Sequence, residues 1–388
     1  MRLLPFDYSV RNLGRSPKRL VLIVFAGALV VSLVLAAAAF VRGMERSLVV
    51  GGDSANVILL AAGSEESLER SQIPSSTPGL VAAGLPGIKT QFGVSYVSPE
   101  VHVAIFVRSD QQNGEEWRAM LRGITPTAFL VYPRVHVVDG RMPEPGKDEI
   151  MVGAMAADMM GVPHERLAVG KSLWFSNRAW KIVGRFHAQG AVMDGEVWVP
   201  VTDLQVATKR DTFSCVVVTM GDGDFADVDA FTKQRLDLGL TAIAEVDYYS
   251  SIMKFYRPVH ALIWTTALLV ALAGLLGGLD TMYAAFAARV REFGTLQAVG
   301  YSRVAIFVSL LQESLLTAAA GTLIGSVVSL FLINGRAVRF SMGVFQLVVD
   351  DRVLLFGVLA GLVMGIIGVA PPAWRCLRLP TTEALKAA

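Results

Sequence analysis

The chain has 388 residues, 53% of them hydrophobic and only 18% charged, with a mean hydropathy of +0.51. Those values exclude an ordinary water-soluble globule of this length. The formal net charge of +2 excludes little, because charges of opposite sign are segregated by segment, and having only Cys215 and Cys376 excludes a disulfide scaffold.

Residues 1–19 carry Arg2, Arg11, Arg15, Lys18 and Arg19 against one acid, Asp7. Phe6, Val10 and Leu13 share a helical face, which predicts an amphipathic segment lying at the membrane surface. The apolar run 20–41 that follows exceeds the ~7–15 residues of a signal-peptide core. Residues 20–43 are therefore expected to form an uncleaved first transmembrane helix.

From residue 44 to 258 the pattern is that of a folded α/β domain. Strand-like runs at 56–60, 102–107, 149–152, 180–183, 197–200 and 215–219 alternate with turn signals. Helix-like pieces occur at 154–160 and 224–238. The Ser-, Glu- and Pro-rich stretch 64–79 reads as an exposed loop. An insert of this length can bury its own core, and two subdomains with a border near 123–145 are expected.

Three further apolar segments follow. Transmembrane helices are expected at 259–288, 304–333 and 353–375, each near or above the ~20 residues that cross a bilayer. They are joined by a basic turn at 289–303 and a short external loop at 334–352, and 376–388 forms a tail. Arg289, Arg291, Arg303, Arg375, Arg378 and Lys386 fall on the same side as the N-terminal bases. Arg336, Arg339 and Arg352, offset by Asp350 and Asp351, fall on the other. The excess of bases on the first side places both termini in the cytoplasm and the large domain outside. Cys215 and Cys376 then lie on opposite sides of the membrane, so no internal disulfide is expected.

Charge alone would let the turn 289–303 be a solvated hairpin whose bases set topology. Between the bases, however, Phe293, Leu296, Val299 and Gly300 form an apolar, small edge at helical spacing, of the kind a partner groove reads. Arg289-Val290-Arg291-Glu292-Phe293-Gly294-Thr295-Leu296-Gln297-Ala298-Val299-Gly300-Tyr301-Ser302 resembles the Arg-x-Arg-Glu-Ile-Gly-x-Leu-Arg-Ala-Ile-Gly-Ala-Ser signature of FtsX-like ABC transporter permeases. That family includes MacB-type exporters, the LolC/LolE lipoprotein-releasing subunits and DevC-like subunits. The resemblance extends to Leu310-Leu311-Gln312-Glu313-Ser314-Leu315-Leu316 and to the ending from Pro371 to Leu385. It also covers Asp148 to Gly153 and Gly195 to Pro200 in the outer domain. Gln297 departs from the family's usual Arg, and Asp280 from its frequent Asn.

The resemblance implies a bacterial inner-membrane permease of four transmembrane helices plus a large α/β extracytoplasmic domain between the first and second. It implies that ATP and Mg bind a separate ABC-type ATPase, with no cofactor held by this chain. The ATPase would contact Arg289, Arg291, Glu292, Phe293, Gly294, Leu296, Gln297, Val299 and Gly300, a coupling helix that carries its motion outward. A homodimer or paired permease, a periplasmic adaptor protein and membrane lipid are the partners it allows; nucleic acid is not among them. The substrate classes are lipids, lipoproteins, peptides and drugs. The alternatives are a permease that activates an external cell-wall hydrolase and a membrane sensor without transport.

The chain carries no phosphate loop of its own. Gly170-Lys171-Ser172 has Glu165 where that loop requires glycine. No His-Glu-x-x-His, Cys-x-x-Cys or Gly-x-Ser-x-Gly occurs, and the histidines are scattered, so neither a catalytic nor a metal site is expected. Two ionisable groups fall within the spans. Asp280 lies near a cytoplasmic end. Glu313 lies about ten residues, ~15 Å, into the third span, where a charge is costly and faces partners. It serves substrate passage or proton coupling, or else bonds a neighbouring helix near Thr265, Thr266 or the first span. Gly321, Gly325, Gly357, Gly361 and Gly365 recur every fourth residue on their helices, allowing close packing within one subunit or across a dimer.

Overall fold

The computed structural model describes residues 4–110, 115–340 and 343–380. Arg2, Lys386 and the family-like ending after Pro380 lie outside the described residues. In chain order, α1 (Phe6–Gly14) precedes a long helix, α2 (Pro17–Gly51). Then come β1 (Asn56–Ala61), α3 (Thr77–Gly84), β2 (Thr90–Gln91), β3 (Val94–Ser95), β4 (Val97–Arg108), β5 (Glu116–Ile124), α4 (Ala128–Val131), β6 (His136–Gly140) and β7 (Glu149–Gly153). These lead to α5 (Ala156–Met160), β8 (Ser172–Phe175), β9 (Arg178–His187), β10 (Val197–Pro200), α6 (Val201–Thr208), β11 (Cys215–Thr219), α7 (Phe225–Gln234), β12 (Leu240–Ala244) and α8 (Glu245–Phe255). The remainder is α9 (Arg257–Ala287), α10 (Val290–Ala298), α11 (Arg303–Leu332), β13 (Ala337–Phe340), β14 (Gly343–Gln346) and α12 (Asp351–Leu377).

The chain divides into two compact units, one of Met1–Arg42, Pro258–Arg336 and Leu347–Ala388, the other of Gly43–Arg257 and Ala337–Gln346. In the first unit α2, α9, α11 and α12 are each long and apolar enough to cross a membrane. A helix satisfies its own backbone hydrogen bonds, which is why an apolar run of this length takes no other form in lipid. Two starts are fixed by side-chain caps: Ser302 Oγ accepts from Ala305 N–H at 3.2 Å and Asp350 from Val353 N–H at 3.1 Å.

The small-residue stripes set the spacing of these helices within the one chain. A Cβ at Gly325 would stand 2.7 Å from the Ala28 carbonyl oxygen, and one at Gly321 3.1 Å from that of Val24, so α11 lies against the backbone of α2. A Cβ at Gly357 would stand 2.7 Å from Leu35 of α2 and one at Gly365 2.8 Å from Ala318 of α11, while one at Gly361 would run into Thr322. The Ser314 hydroxyl donates to the Gly365 carbonyl at 2.7 Å, tying α11 to α12 where the backbones are closest. The outer face of α9 stays exposed through Leu262, Leu268, Leu269 and Leu276.

The second unit is built on one ten-stranded sheet in the order β12-β1-β11-β4-β5-β10-β7-β9-β6, with β8 joined to β4 and β9. The expected border near 123–145 does not appear, because β5 pairs in parallel with β10, Leu121 opposite Val197, and keeps the sheet continuous. The long strand β4 unites the two ends. Its first residues pair with β11, Glu100 opposite Cys215, and from Val101 onward it pairs with β5. Apolar clusters cover both faces, one around Trp180, Ile150 and Leu59, the other around Trp198, Phe186 and Leu60. This explains strands such as β7 and β11 that are buried at every residue instead of at alternate ones.

The segment 334–352, expected as a short external loop, carries the hairpin β13–β14, which belongs to the second unit. Val344 is buried with Met155 and Met159 and would touch a Cβ placed on Gly195 at 2.6 Å. The chain therefore passes between the two units at each of the borders 42/43, 257/258, 336/337 and 346/347.

Candidate functional site

The turn between α9 and α11 is a helix of its own, α10, with both ends explained by local chemistry. At its C-terminus the Tyr301 N–H bonds to the Leu296 carbonyl at 3.1 Å and the Gly300 N–H to that of Gln297 at 3.0 Å. This is a Schellman closure that needs a residue at positive φ, and Gly300 supplies it at φ +104°. The Ser302 cap then starts α11, so Gly300 and Ser302 together set the reversal between the two helices.

Two elements meet the Glu313 carboxylate of α11. Arg289, the N-cap residue of α10, reaches it through Nη1 at 3.1 Å and 3.4 Å. Asn12 of α1 donates to its Oε2 at 2.6 Å. One turn earlier on α11, the hydroxyls of Ser9 and Ser309 lie 2.9 Å apart. Arg289 also donates from Nε to Glu292 at 3.2 Å and stacks over the Phe293 ring at 5.3 Å. Arg15, the C-cap residue of α1, donates to the same Glu292 at 3.2 Å. Burial pulls the Arg289 guanidinium down, but the Glu313 charge and the bonds from Glu313 and Glu292 outweigh it and hold its pKa above the ordinary value.

These positions correct the sequence reading in two respects. Glu313 does not meet Thr265 or Thr266, whose hydroxyls donate back to the Ala261 and Leu262 carbonyls of their own helix; its partners come from α1 and α10. The apolar edge of α10 is not offered outward as a whole. Phe293 is 2% exposed, packed edge-on against Phe286 at 6.2 Å, and Leu296 is half-buried in the same cluster. Gly294 is buried too, and Gln297 half-buried. Only Arg291, Glu292, Thr295, Ala298, Val299 and Gly300 face outward. The 3.6-residue period shows which residues share a face, and the aromatic ring goes to the bundle because burial there removes more apolar area from water. Asp280 is exposed on α9. Lys171–Ser172 lead into strand β8, not the helix a phosphate loop requires.

The second unit holds a buried charge network that the sequence reading missed. Glu100, His102 and Cys215 place their ligand-type atoms within 4.8 Å of one another. The Glu100 carboxylate is already engaged: Oε2 accepts from His102 Nε2 and Arg122 Nη1, both at 2.9 Å, and Oε1 from Ser98 at 3.0 Å. Arg122 in turn grips Glu196 at 2.7 Å and 2.8 Å, and Trp198 Nε1 donates to Glu196 at 3.0 Å. The guanidinium thus supplies the cation, and the donor set fits an ion-pair network, not a metal. Burial raises the Glu100 carboxyl, but Arg122, His102 and Ser98 outweigh it and hold it below the usual range. Glu100 and Glu196 fall just before the strand-like runs 102–107 and 197–200, and Arg122 in no such run, so the sequence carried no signal that brings them together.

Glu245 opens α8 directly after β12. Its carboxylate accepts from the Asp53 N–H at 2.9 Å and from Asn56 Nδ2 at 3.0 Å, joining the start of α8 to the turn after α2. Burial pushes it from the ordinary 4.5 to about 7, against those two hydrogen bonds; nearby Glu100 also raises it and Arg122 lowers it. The folded state therefore holds the proton more tightly than the unfolded chain. The resulting stability is complete below the unfolded value and is lost as pH rises through about 7. Glu245→Gln is expected to remove that loss, about 3 kcal/mol, so that melting at pH 8 rises toward its value in acid. Parallel melting curves for parent and variant from acid to pH 8 would rule this out.

Residues 20–234 match the family of the MacB-like periplasmic core domain, and residues 264–381 that of the FtsX-like permease C-terminal region. The periplasmic region of MacB from Actinobacillus actinomycetemcomitans is a similar solved structure, at 11% identity and a TM-score of 0.39, with 52% of this chain and 94% of that one covered. The extracellular domain of the noncanonic ABC-type transporter YknZ from Gram-positive bacteria is similar at 18% identity and a TM-score of 0.36, with 48% of this chain and 99% of that one covered. No curated protein sequence matches. The periplasmic-core match alone takes in more than half of the chain, and the permease match covers α10 and its flanking helices. The chain belongs to the FtsX-like, MacB-type family of ABC transporter permeases.

Proposed function

We propose that this permease works by mechanotransmission, turning ATP hydrolysis on a separate ABC-type ATPase, which holds the ATP and Mg, into movement of its periplasmic domain. The observation that carries this reading is the convergence of Arg289, Asn12 and Glu313. A push on α10 is delivered through a charged, partly buried tie to α11, about three turns from its start, and to α1 at the same point. Close packing of α11 on α2 at Gly321 and Gly325 passes it on. Helix α2 continues without a break to Gly51, past the end of the first unit. The ATPase would touch Arg291, Glu292, Thr295 and Val299, with both termini in the cytoplasm of a bacterial inner membrane. A dimer would supply the paired surface that two ATPase subunits need, and a periplasmic adaptor and a lipidic, lipoprotein, peptide or drug substrate are the partners the family relationship suggests for the outer domain.

The test is capture of the ATPase by detergent-solubilised permease, comparing the parent with an Arg291→Glu/Val299→Asp double variant. Both changes fall on exposed side chains of α10, so folding is expected to survive. Capture by the parent and its loss in the variant supports the proposal. Failure of both proteins to capture an ABC-type ATPase, with oligomer intact, would sink it.

A further inference from the structure

Near the Glu313 tie, a second guanidinium stands close to the part-buried carboxylate that Arg289 holds. Arg19, at the start of the apolar run of α2, and Arg289 both lie within electrostatic range of Glu313. Arg19 Nε and Arg289 Nη2 are buried without any hydrogen-bond partner. Buried donors are rarely left empty, and a guanidinium N–H bonds most strongly to an ionised oxygen, so both atoms call for an acceptor that carries negative charge. The surroundings add to the excess: Arg11, Arg15, Lys18, Arg19, Arg289 and Arg291 stand against Asp7, Glu292 and Glu313.

Immediately after Arg19, the side chains of Val21, Leu22 and Phe25 are 67%, 62% and 67% exposed. A basic, donor-rich point thus meets an open apolar helix face within two turns. That combination matches one ligand chemistry, a phosphodiester with acyl chains attached. Phosphate oxygens make charge-assisted bonds with guanidinium N–H groups, and basic pockets between helix ends attract anionic headgroups. An acidic side chain of a partner protein would satisfy the donors but leave the apolar face unused.

We propose that Arg19 and Arg289 form a binding site for the headgroup of an anionic phospholipid of the inner leaflet, whose acyl chains lie along α2 beside Val21, Leu22 and Phe25. The site rests on the reading that α2 crosses a membrane with this end in the cytoplasm, and does not depend on transport. Occupancy would complete the charge balance of the Glu313 tie, so lipid would condition the element on which α10 pushes.

The experiment uses the full chain in mild detergent, stripped of lipid and then offered phosphatidylglycerol or phosphatidylcholine, with retained lipid counted by native mass spectrometry. The parent is expected to retain phosphatidylglycerol selectively. Arg19→Gln should weaken retention roughly tenfold, as for loss of a charge-assisted bond, while Lys18→Gln, which removes an exposed charge one residue away, should leave it unchanged. Should Arg19→Gln fail to assemble, Arg19→Lys keeps the charge without the Nε–H. Roughly threefold weaker retention there supports the site; parent-like retention overturns it. Equal retention of the two lipids, or equal loss in the Lys18 and Arg19 variants, overturns it as well. Displacement of phosphatidylglycerol by inorganic phosphate alone would reassign the site to a soluble anion and overturn the lipid. The measurement needs neither ATP nor the ATPase, so its failure leaves the coupling proposal standing.

Discussion

Glu313→Gln is expected to lower the stability of the helical unit by about 3 kcal/mol, the low end for breaking a buried pair, and to uncouple ATP turnover from transport. The low end applies because both side chains of the Arg289–Glu313 pair keep 13% exposure. The amide introduced there could still accept from Asn12, but Arg289 would be left inside the bundle with only the half-exposed Glu292. The ATPase should still be captured, because the outward residues of α10 are untouched; what fails is the link from α10 to α11. Arg289→Met should behave alike. Combining the two changes is expected to cost less than their sum, with a coupling of about 1–3 kcal/mol. Thermal melting of the four proteins in lipid nanodiscs measures the coupling, and transport per ATP measures the linkage. Additive stabilities, or an unchanged ratio of transport to hydrolysis in Glu313→Gln, would remove Glu313 from the mechanism.

The larger stability effect is expected at Arg122. Arg122→Met leaves Glu100 and Glu196 buried, at 0% and 7% exposure, without their cation, at a cost of about 3–5 kcal/mol. The sign of its pH dependence is diagnostic. In the parent the Glu100 carboxyl lies below its ordinary value, so its contribution is present above that value and lost as pH falls. In the variant the Glu100 carboxyl loses the cation that holds it down and is expected to rise, so stability is present in acid and lost as pH rises. The gap between parent and variant should therefore be widest near neutrality and close on acidification. Glu245, which Arg122 helps to hold down, is expected to rise further in the variant and so adds to the same trend. A triple variant, Glu100→Leu/Arg122→Met/Glu196→Leu, is expected to recover most of the stability, since apolar replacement of a whole buried network is commonly tolerated. A constant gap across pH, or a single variant as stable as the parent at neutrality, would show that the network does not carry this load.

Much of this was legible because some residues leave the chain few choices. A run of apolar residues long enough to cross lipid has one backbone solution, and the Gly300–Ser302 pair spells out a helix stop followed by a helix cap. The fourth-residue glycines announce close packing. What could not be read is which surfaces meet. Gly325 touches Ala28, and Asn12 finds Glu313, across nearly the whole length of the chain. For Phe293 the period gave the face but not whether that face turns inward. The Glu100–Arg122–Glu196 network was hidden for the same reason, since its charges lie far apart in the chain and meet only once β4, β5 and the start of β10 are placed together.

The hairpin β13–β14 bears on how the outer domain can be handled as a protein in its own right. A fragment cut at the membrane boundaries, residues 43–257, would contain every strand of the ten-stranded sheet and still be incomplete. Val344, 1% exposed, would be missing from its place over Gly195, and Met155 and Met159, at 4% and 9%, would open to water. Such a fragment would carry a sticky methionine patch that the intact chain never exposes, and its self-association would be an artefact of truncation. Splicing residues 337–346 back through a short linker restores the missing lid, and the domain so assembled is the proper reagent for binding measurements in solution.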